Sequence, residues 1–215
     1  METLETENNF SAAWTFYWSK PGFRIQFILF VLILASLAFV FPYFFDFIEA
    51  RTGKVLDDPI LDLLPARDVS TLVFTFLYFA IVSWLFIAAR NPKVLLAGVQ
   101  TYCLVTIFRI FTITLFPLEP PAAYIPLREP FVQLFTHQGR IISRDLFFSG
   151  HMTTILFCYY NTSRGVFKYL YLVFAIIIAV LLMVQRVHYS IDIVVAPLFT
   201  WLCFLLSKKV LLAKI

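Results

Sequence analysis

The sequence predicts an all-α, polytopic membrane protein with six transmembrane helices, and three observations predict it. First, the 215 residues are 61% hydrophobic and 14% charged, against roughly 45–50% and about 25% in soluble domains, so the surplus apolar surface has to face lipid. Second, long stretches with no charge or one charge recur along the whole chain, each able to cover a hydrocarbon core of about 30 Å at about 1.5 Å per residue. Third, basic and acidic residues fall on alternate connections between those stretches. A disordered or collagen-like chain is excluded, because either would need low hydrophobicity or a glycine repeat. The net charge of +4 fits basic cytosolic loops, so no nucleic-acid partner is implied. Cys103, Cys158 and Cys203 all lie in apolar runs, which reads as packing and gives neither a disulfide framework nor a zinc spacing.

In chain order, residues 1–24 read as a cytosolic N-terminal interfacial segment, with Phe10, Trp14, Phe16, Tyr17 and Trp18 ahead of Lys20. Glu2, Glu5 and Glu7 are the reverse of a basic n-region, so a cleavable signal is not expected. Residues 25–207 form the six-helix membrane domain. Its spans are 25–45 and 69–89, both uncharged; 94–118, carrying Arg109; 146–163, carrying His151; 169–185; and 187–207, carrying Asp192. Residues 208–215 form a cytosolic tail. Lys20, Arg24, Arg90, Lys93, Arg164, Lys168, Lys208 and Lys209 mark one side of the membrane. Asp46, Glu49, Asp57, Asp58, Asp62, Asp68, Glu119, Glu129 and Asp145 mark the other. Both termini are therefore expected in the cytosol, with 46–68, 119–145 and the turn at Arg186 facing the periplasm or an organelle lumen. The sequons at Asn9 and Asn161 fall on the cytosolic side, where glycosylation is not expected. The Pro-rich 119–145 segment is expected to fold over the outer mouth of the bundle.

Chemistry is concentrated at the outer ends of three spans. His188 opens the sixth, and Asp192 follows four residues later, one helical turn below on the same face. A carboxylate there can hold Nδ1–H, leave Nε2 free to attack, and stabilise the imidazolium that forms. His151 follows Ser149 and Gly150 at an expected helix N-terminus, where free amides and the helix dipole suit a phosphate. Arg109 lies about 12 Å below the outer surface by helix rise. A charge at that depth faces a polar cavity and a partner, either a phosphate or, structurally, Asp192. His137 reads as a surface histidine and the acids at 57, 58, 62 and 68 as a solvated loop, while Tyr189 and Ser190 fit helix packing and contact with water or a head group equally well.

The segments Asp145-Leu-Phe-Phe-Ser149-Gly150-His151 and His188-Tyr-Ser-Ile-Asp192 resemble the two signature segments of the sphingomyelin synthase family, within the type 2 phosphatidic acid phosphatase superfamily. A looser similarity extends to residues 58–65 and to 109–117. The resemblance implies a short member of that family, with a catalytic His151, His188 and Asp192 triad at the non-cytosolic face. It implies transfer of a phosphoalcohol head group from a glycerophospholipid donor to a ceramide or diacylglycerol acceptor, with no cofactor or metal. The superfamily's phosphatases carry an Arg-Pro upstream and an Arg six positions before the last His; this sequence has no Arg-Pro and has Leu182 there. Phosphate contacts are therefore expected from Arg109, Ser149 and Gly150, then Arg186 and Arg144. The alternatives are a lipid phosphatase or phospholipase C using the same site, and a silent lipid-binding scaffold.

Overall fold

The computed structural model describes residues 2–128 and 141–211. Among these residues the regular structure is helical, with no strand and one isolated bridge between Lys54 and Leu118. The helices are α1 (Glu2–Ser19), α2 (Pro21–Ala50), α3 (Pro59–Asp62), α4 (Ser70–Ala89), α5 (Pro92–Leu115), α6 (Gly150–Asn161), α7 (Val166–Val184) and α8 (Ser190–Leu206), the last running into a π-helical turn, Ser207–Leu211. Local chemistry sets several starts. Pro21 and Pro92 occupy first-turn positions where a missing N–H costs nothing. The Asn91 side chain accepts from the amides of Lys93 and Val94 at 3.1 and 3.3 Å.

Among the described residues five helices are long and apolar enough to cross a membrane: α2, α4, α5, α7, and α8 carried to Lys209. The helices are those of a polytopic membrane protein, and of the six expected spans the fourth alone forms a helix shorter than a membrane crossing. Where an 18-residue span was expected over 146–163, α6 has 12 residues, a rise of about 18 Å. Residues 146–149 are not helical, and their backbone is held by side chains and backbone instead. Thr112 Oγ1 donates to the Phe147 carbonyl at 2.9 Å, Arg109 Nε to the Phe148 carbonyl at 3.0 Å, and the Ser149 amide to the Asp192 carbonyl at 3.2 Å. Non-helical backbone is tolerated at membrane depth where protein satisfies it in this way. Apolar composition alone does not separate that arrangement from a span.

The short helix is the hub of the bundle. Ile155, Leu156, Phe157 and Cys158 of α6 share one buried cluster with Val73, Leu77 and Trp84 of α4, Tyr171, Phe174 and Ile178 of α7, and Ile193, Ala196 and Cys203 of α8. Trp84 lies so close to Gly98 of α5 that a Cβ there would clash with its ring. Surrounded by other helices, α6 has no need to match the bilayer thickness. In contrast, α2 lies outside the cluster, seating Phe44 and Ile48 on Ile113 of α5, with Gln100 Nε2 donating to Gln26 Oε1 at 2.8 Å.

The two ends of the bundle carry opposite charge. At the basic end Trp14 of α1 donates to the Ala89 carbonyl at 2.9 Å, and Lys93 and Lys208 border a common cavity. At the acidic end a collar of carboxylates ties the loops to the helix ends. Glu49, on a final turn of α2 that had been expected to be loop, accepts from Ser143 N at 2.7 Å, Ser143 Oγ at 2.9 Å and Arg144 N at 2.7 Å. Asp58 caps α3 through the amides of Ile60 and Leu61 and takes the Ser190 amide at 2.6 Å at the start of α8. Gln185, fully buried, accepts from Val69 N at 2.5 Å and donates towards Asp68, Ser70 and the Ile125 and Pro126 carbonyls.

Candidate active site

The collar opens into a cavity of about 740 Å³. Its walls include His151 and Gly150 of α6, Val187 and His188 from the turn before α8, Arg109 of α5, and Asp145. Aromatic residues from four segments complete it, among them Phe45, Phe74, Tyr102 and Tyr124. Residues 124–128 and 141–143, the described flanks of the expected cover, also line it. His137 and the rest of that cover fall outside the described residues.

His188 sits in a loop rather than opening the last helix. Arg186 adopts a left-handed backbone (φ 58°) that ends the previous helix turn, and α8 begins only at Ser190. The contact expected from helical spacing forms by a different route. Asp192 is the third residue of α8, and its Oδ2 reaches back to the Tyr189 amide at 3.0 Å, the N-terminal half of a capping box. That reach also places Oδ2 3.3 Å from His188 Nδ1. Asp192 is fully buried and its Oδ1 has no partner among the described residues. Such a carboxylate is costly in a low dielectric, and the hydrogen bond from the Tyr189 amide offsets part of the cost.

His151 lies across the cavity, its ring centroid 6.1 Å from that of His188 and 6.0 Å from Phe74. Both histidines line the same cavity. Ser149 caps α6, its Oγ accepting from the Met152 amide at 3.3 Å. Its own amide is spent on Asp192, so Ser149 positions α6 and is not among the cavity-lining residues. Gly150 is different. A Cβ there would meet the Arg109 guanidinium at 2.6–2.9 Å, so glycine lets Arg109 lie against the helix start.

Arg109 pairs with Asp145 at 2.6 Å, not with Asp192 as the structural alternative had it. Its Nε donates to the Phe148 carbonyl and its Nη2 to Asp145, while Nη1 lies against the start of α6 at Gly150 and the residue lines the cavity. Neither Arg144 nor Arg186 lines the cavity. Arg144 forms a two-pronged pair with Glu119 at 3.0 and 3.1 Å and donates to the Glu49 carbonyl. Arg186 donates to the Leu64 carbonyl at 2.9 Å and pairs with Asp62 at 3.6 Å. Both serve the collar, and these partners are too distant in sequence to be read from spacing.

Sequence reasoning assigned no role to Asp145 or Tyr124. Asp145 heads the Leu146–Phe148 run, and its place four residues before Ser149 was the available signal. Tyr124 donates to the Ile142 carbonyl at 3.1 Å. Burial, reinforced by Glu49 and Asp145, pushes its phenol up to about 12, so it stays neutral at the cavity wall.

Apolar helices long enough to span a membrane surround a cavity lined by two histidines, Asp145 and two arginines, Arg109 and Arg128, with the buried Asp192 3.3 Å from His188 Nδ1. Residues 144–209 match the family model described as PAP2 superfamily C-terminal. The match spans both histidine segments and a little under a third of the 215 residues. It supports the type 2 phosphatidic acid phosphatase superfamily and, with it, lipid phosphatase- or phosphotransferase-type activity, without singling out the sphingomyelin synthase branch. No curated protein and no solved structure matches the chain.

Proposed function

We propose that the protein is a lipid phosphotransferase that moves a phosphoalcohol head group from a glycerophospholipid to a ceramide-like lipid hydroxyl through a histidine intermediate. The observation that carries this reading is the pair of imidazoles 6.1 Å apart across one cavity, one of them 3.3 Å from a buried carboxylate at Nδ1. In the first half, His188 Nε2 attacks phosphorus and the bond to the diacylglycerol oxygen breaks, that oxygen taking a proton from His151. In the second half, His151 removes the acceptor's hydroxyl proton, the new P–O bond forms, and the P–N bond breaks to return His188. Asp192 holds the Nδ1 proton in place and stabilises the charged ring. Arg109 Nη1 and the first amides of α6 stabilise the equatorial oxygens, the work that usually contributes most to the rate.

Transfer rather than hydrolysis is supported by the walls: Phe45, Phe74, Leu77 and Ile81 suit acyl chains and exclude water. Lipid mass spectrometry of the purified protein with donor phospholipid, with and without a long-chain ceramide, tests it. A new head-group-bearing lipid that appears only with ceramide supports transfer. Release of free head-group phosphate unaffected by ceramide or diacylglycerol would replace it with a phosphatase or phospholipase C. By the positive-inside bias the site belongs at the periplasmic or lumenal face, with both termini cytosolic. An impermeant thiol reagent on intact cells should label Asp57→Cys and spare Arg164→Cys in a Cys-free background; the opposite pattern inverts the orientation.

A further inference from the structure

A second cavity, of about 690 Å³, opens at the basic end between the start of α5 and the ends of α6 and α8. Lys93, Arg164, Lys168 and Lys208 border it, and no Asp or Glu does. Among the described residues, none of these four cations is paired with a carboxylate. Lys168 has a structural explanation, since its Nζ donates to the Thr162 carbonyl at 3.1 Å at the end of α6. Lys93, Arg164 and Lys208 are exposed; Lys93 and Lys208 lie over the Tyr17 and Phe204 rings at 5.7 and 5.2 Å, which supplies no counter-charge, and Lys208 is near enough to Lys168 to repel it. Converging cations with no counter-charge favour an anion that arrives from outside the chain.

The remaining wall says which anion. Trp201 borders the cavity. Leu198 and Val194 lie three and seven residues earlier on the same face of α8, so an exposed apolar stripe leads from the cations into the depth of the bundle's lipid-facing side. We propose that this cavity binds the head group of an anionic phospholipid in the leaflet at the basic end, with one acyl chain lying along Trp201, Leu198 and Val194. A free phosphate would use the cations but not the stripe. The site is separate from the histidine cavity, and the proposal stands whichever lipid is the substrate.

Trp201 supplies the readout. The full-length protein is reconstituted in phosphatidylcholine vesicles doped with chain-brominated phosphatidylglycerol or, at equal mole fraction, chain-brominated phosphatidylcholine. The Trp201 signal is the quenching lost in Trp201→Phe. The expected result is stronger quenching of Trp201 by the anionic lipid. Each cation at a membrane surface contributes about five-fold to that preference, so Lys93→Gln with Lys208→Gln should lower it about 25-fold, with thermal unfolding and turnover kept as fold controls. If the double variant does not fold, Arg164→Gln alone should lower the preference about five-fold. Equal quenching by the two lipids, or a preference untouched by the folded variants, overturns the proposal. So does loss of the preference in inorganic phosphate but not in chloride of matched ionic strength, which would make the ligand a free anion.

Discussion

Asp192 does two jobs with one oxygen: Oδ2 takes the Tyr189 amide at 3.0 Å and lies 3.3 Å from His188 Nδ1. The first job holds the start of α8 and the second sets the imidazole. Asp192→Asn separates them, because the amide oxygen still caps the helix while the charge is gone. Turnover should fall roughly 10³–10⁴-fold from mis-set tautomer and lost stabilisation of the imidazolium, while the thermal unfolding midpoint stays close to wild type. Unfolding in step with the loss of activity would assign Asp192 to structure alone. Arg109 shows where residue-level reading ended. Its depth signalled a partner, but Asp145 is 36 positions away, and no helical period relates the two.

At the scale of elements, α5, α7 and α8 lay close to the apolar runs because a membrane solvent makes span length and uncharged composition nearly sufficient. The fourth run forms a helix shorter than its apolar length for the same reason: a helix sheltered by its neighbours is as apolar as one that faces lipid. The start of that helix is where the site is set. Gly150→Ala puts a methyl group 2.6–2.9 Å from the Arg109 guanidinium, so the guanidinium must leave. Helix formation itself gains slightly from alanine. The expected outcome is a protein that unfolds within a few degrees of wild type and loses about 100-fold in kcat/KM, the scale of one lost oxyanion donor. Wild-type kcat/KM in Gly150→Ala would remove Arg109 from the reaction. The turn before α8 was equally hidden, since nothing in Gln-Arg-Val-His announces the left-handed Arg186.

At the scale of the whole molecule, the acidic collar joins the helix ends that carry the site, and its carboxylates set an acid limit. Burial raises Asp58, but hydrogen bonds from Ser190, Leu61 and Ile60 outweigh it and hold the group below its ordinary range. The Ser70 hydroxyl and amide do the same for Asp68, and the Gly53 amide, then Arg144, for Glu119. Carboxylates depressed on folding stabilise the protein fully above their unfolded values near 4, and that contribution is lost as pH falls through the lower folded values. Thermal unfolding should therefore be level from about pH 5 to neutrality and fall below about pH 4, with a shallower acid limb in Asp58→Asn; an acid limb unchanged by that substitution would remove Asp58 from the collar's stability. The collar ties together loops and helix ends beside the two histidines that line one cavity. The most direct test of what they do there is to incubate the protein with donor phospholipid alone, quench it, and map covalent adducts by peptide mass spectrometry. A phosphoalcohol adduct on His188 that disappears when ceramide is added, and never forms in His188→Ala, is the predicted result. Turnover by His188→Ala at the wild-type rate, or an adduct on any other residue, would contradict the account.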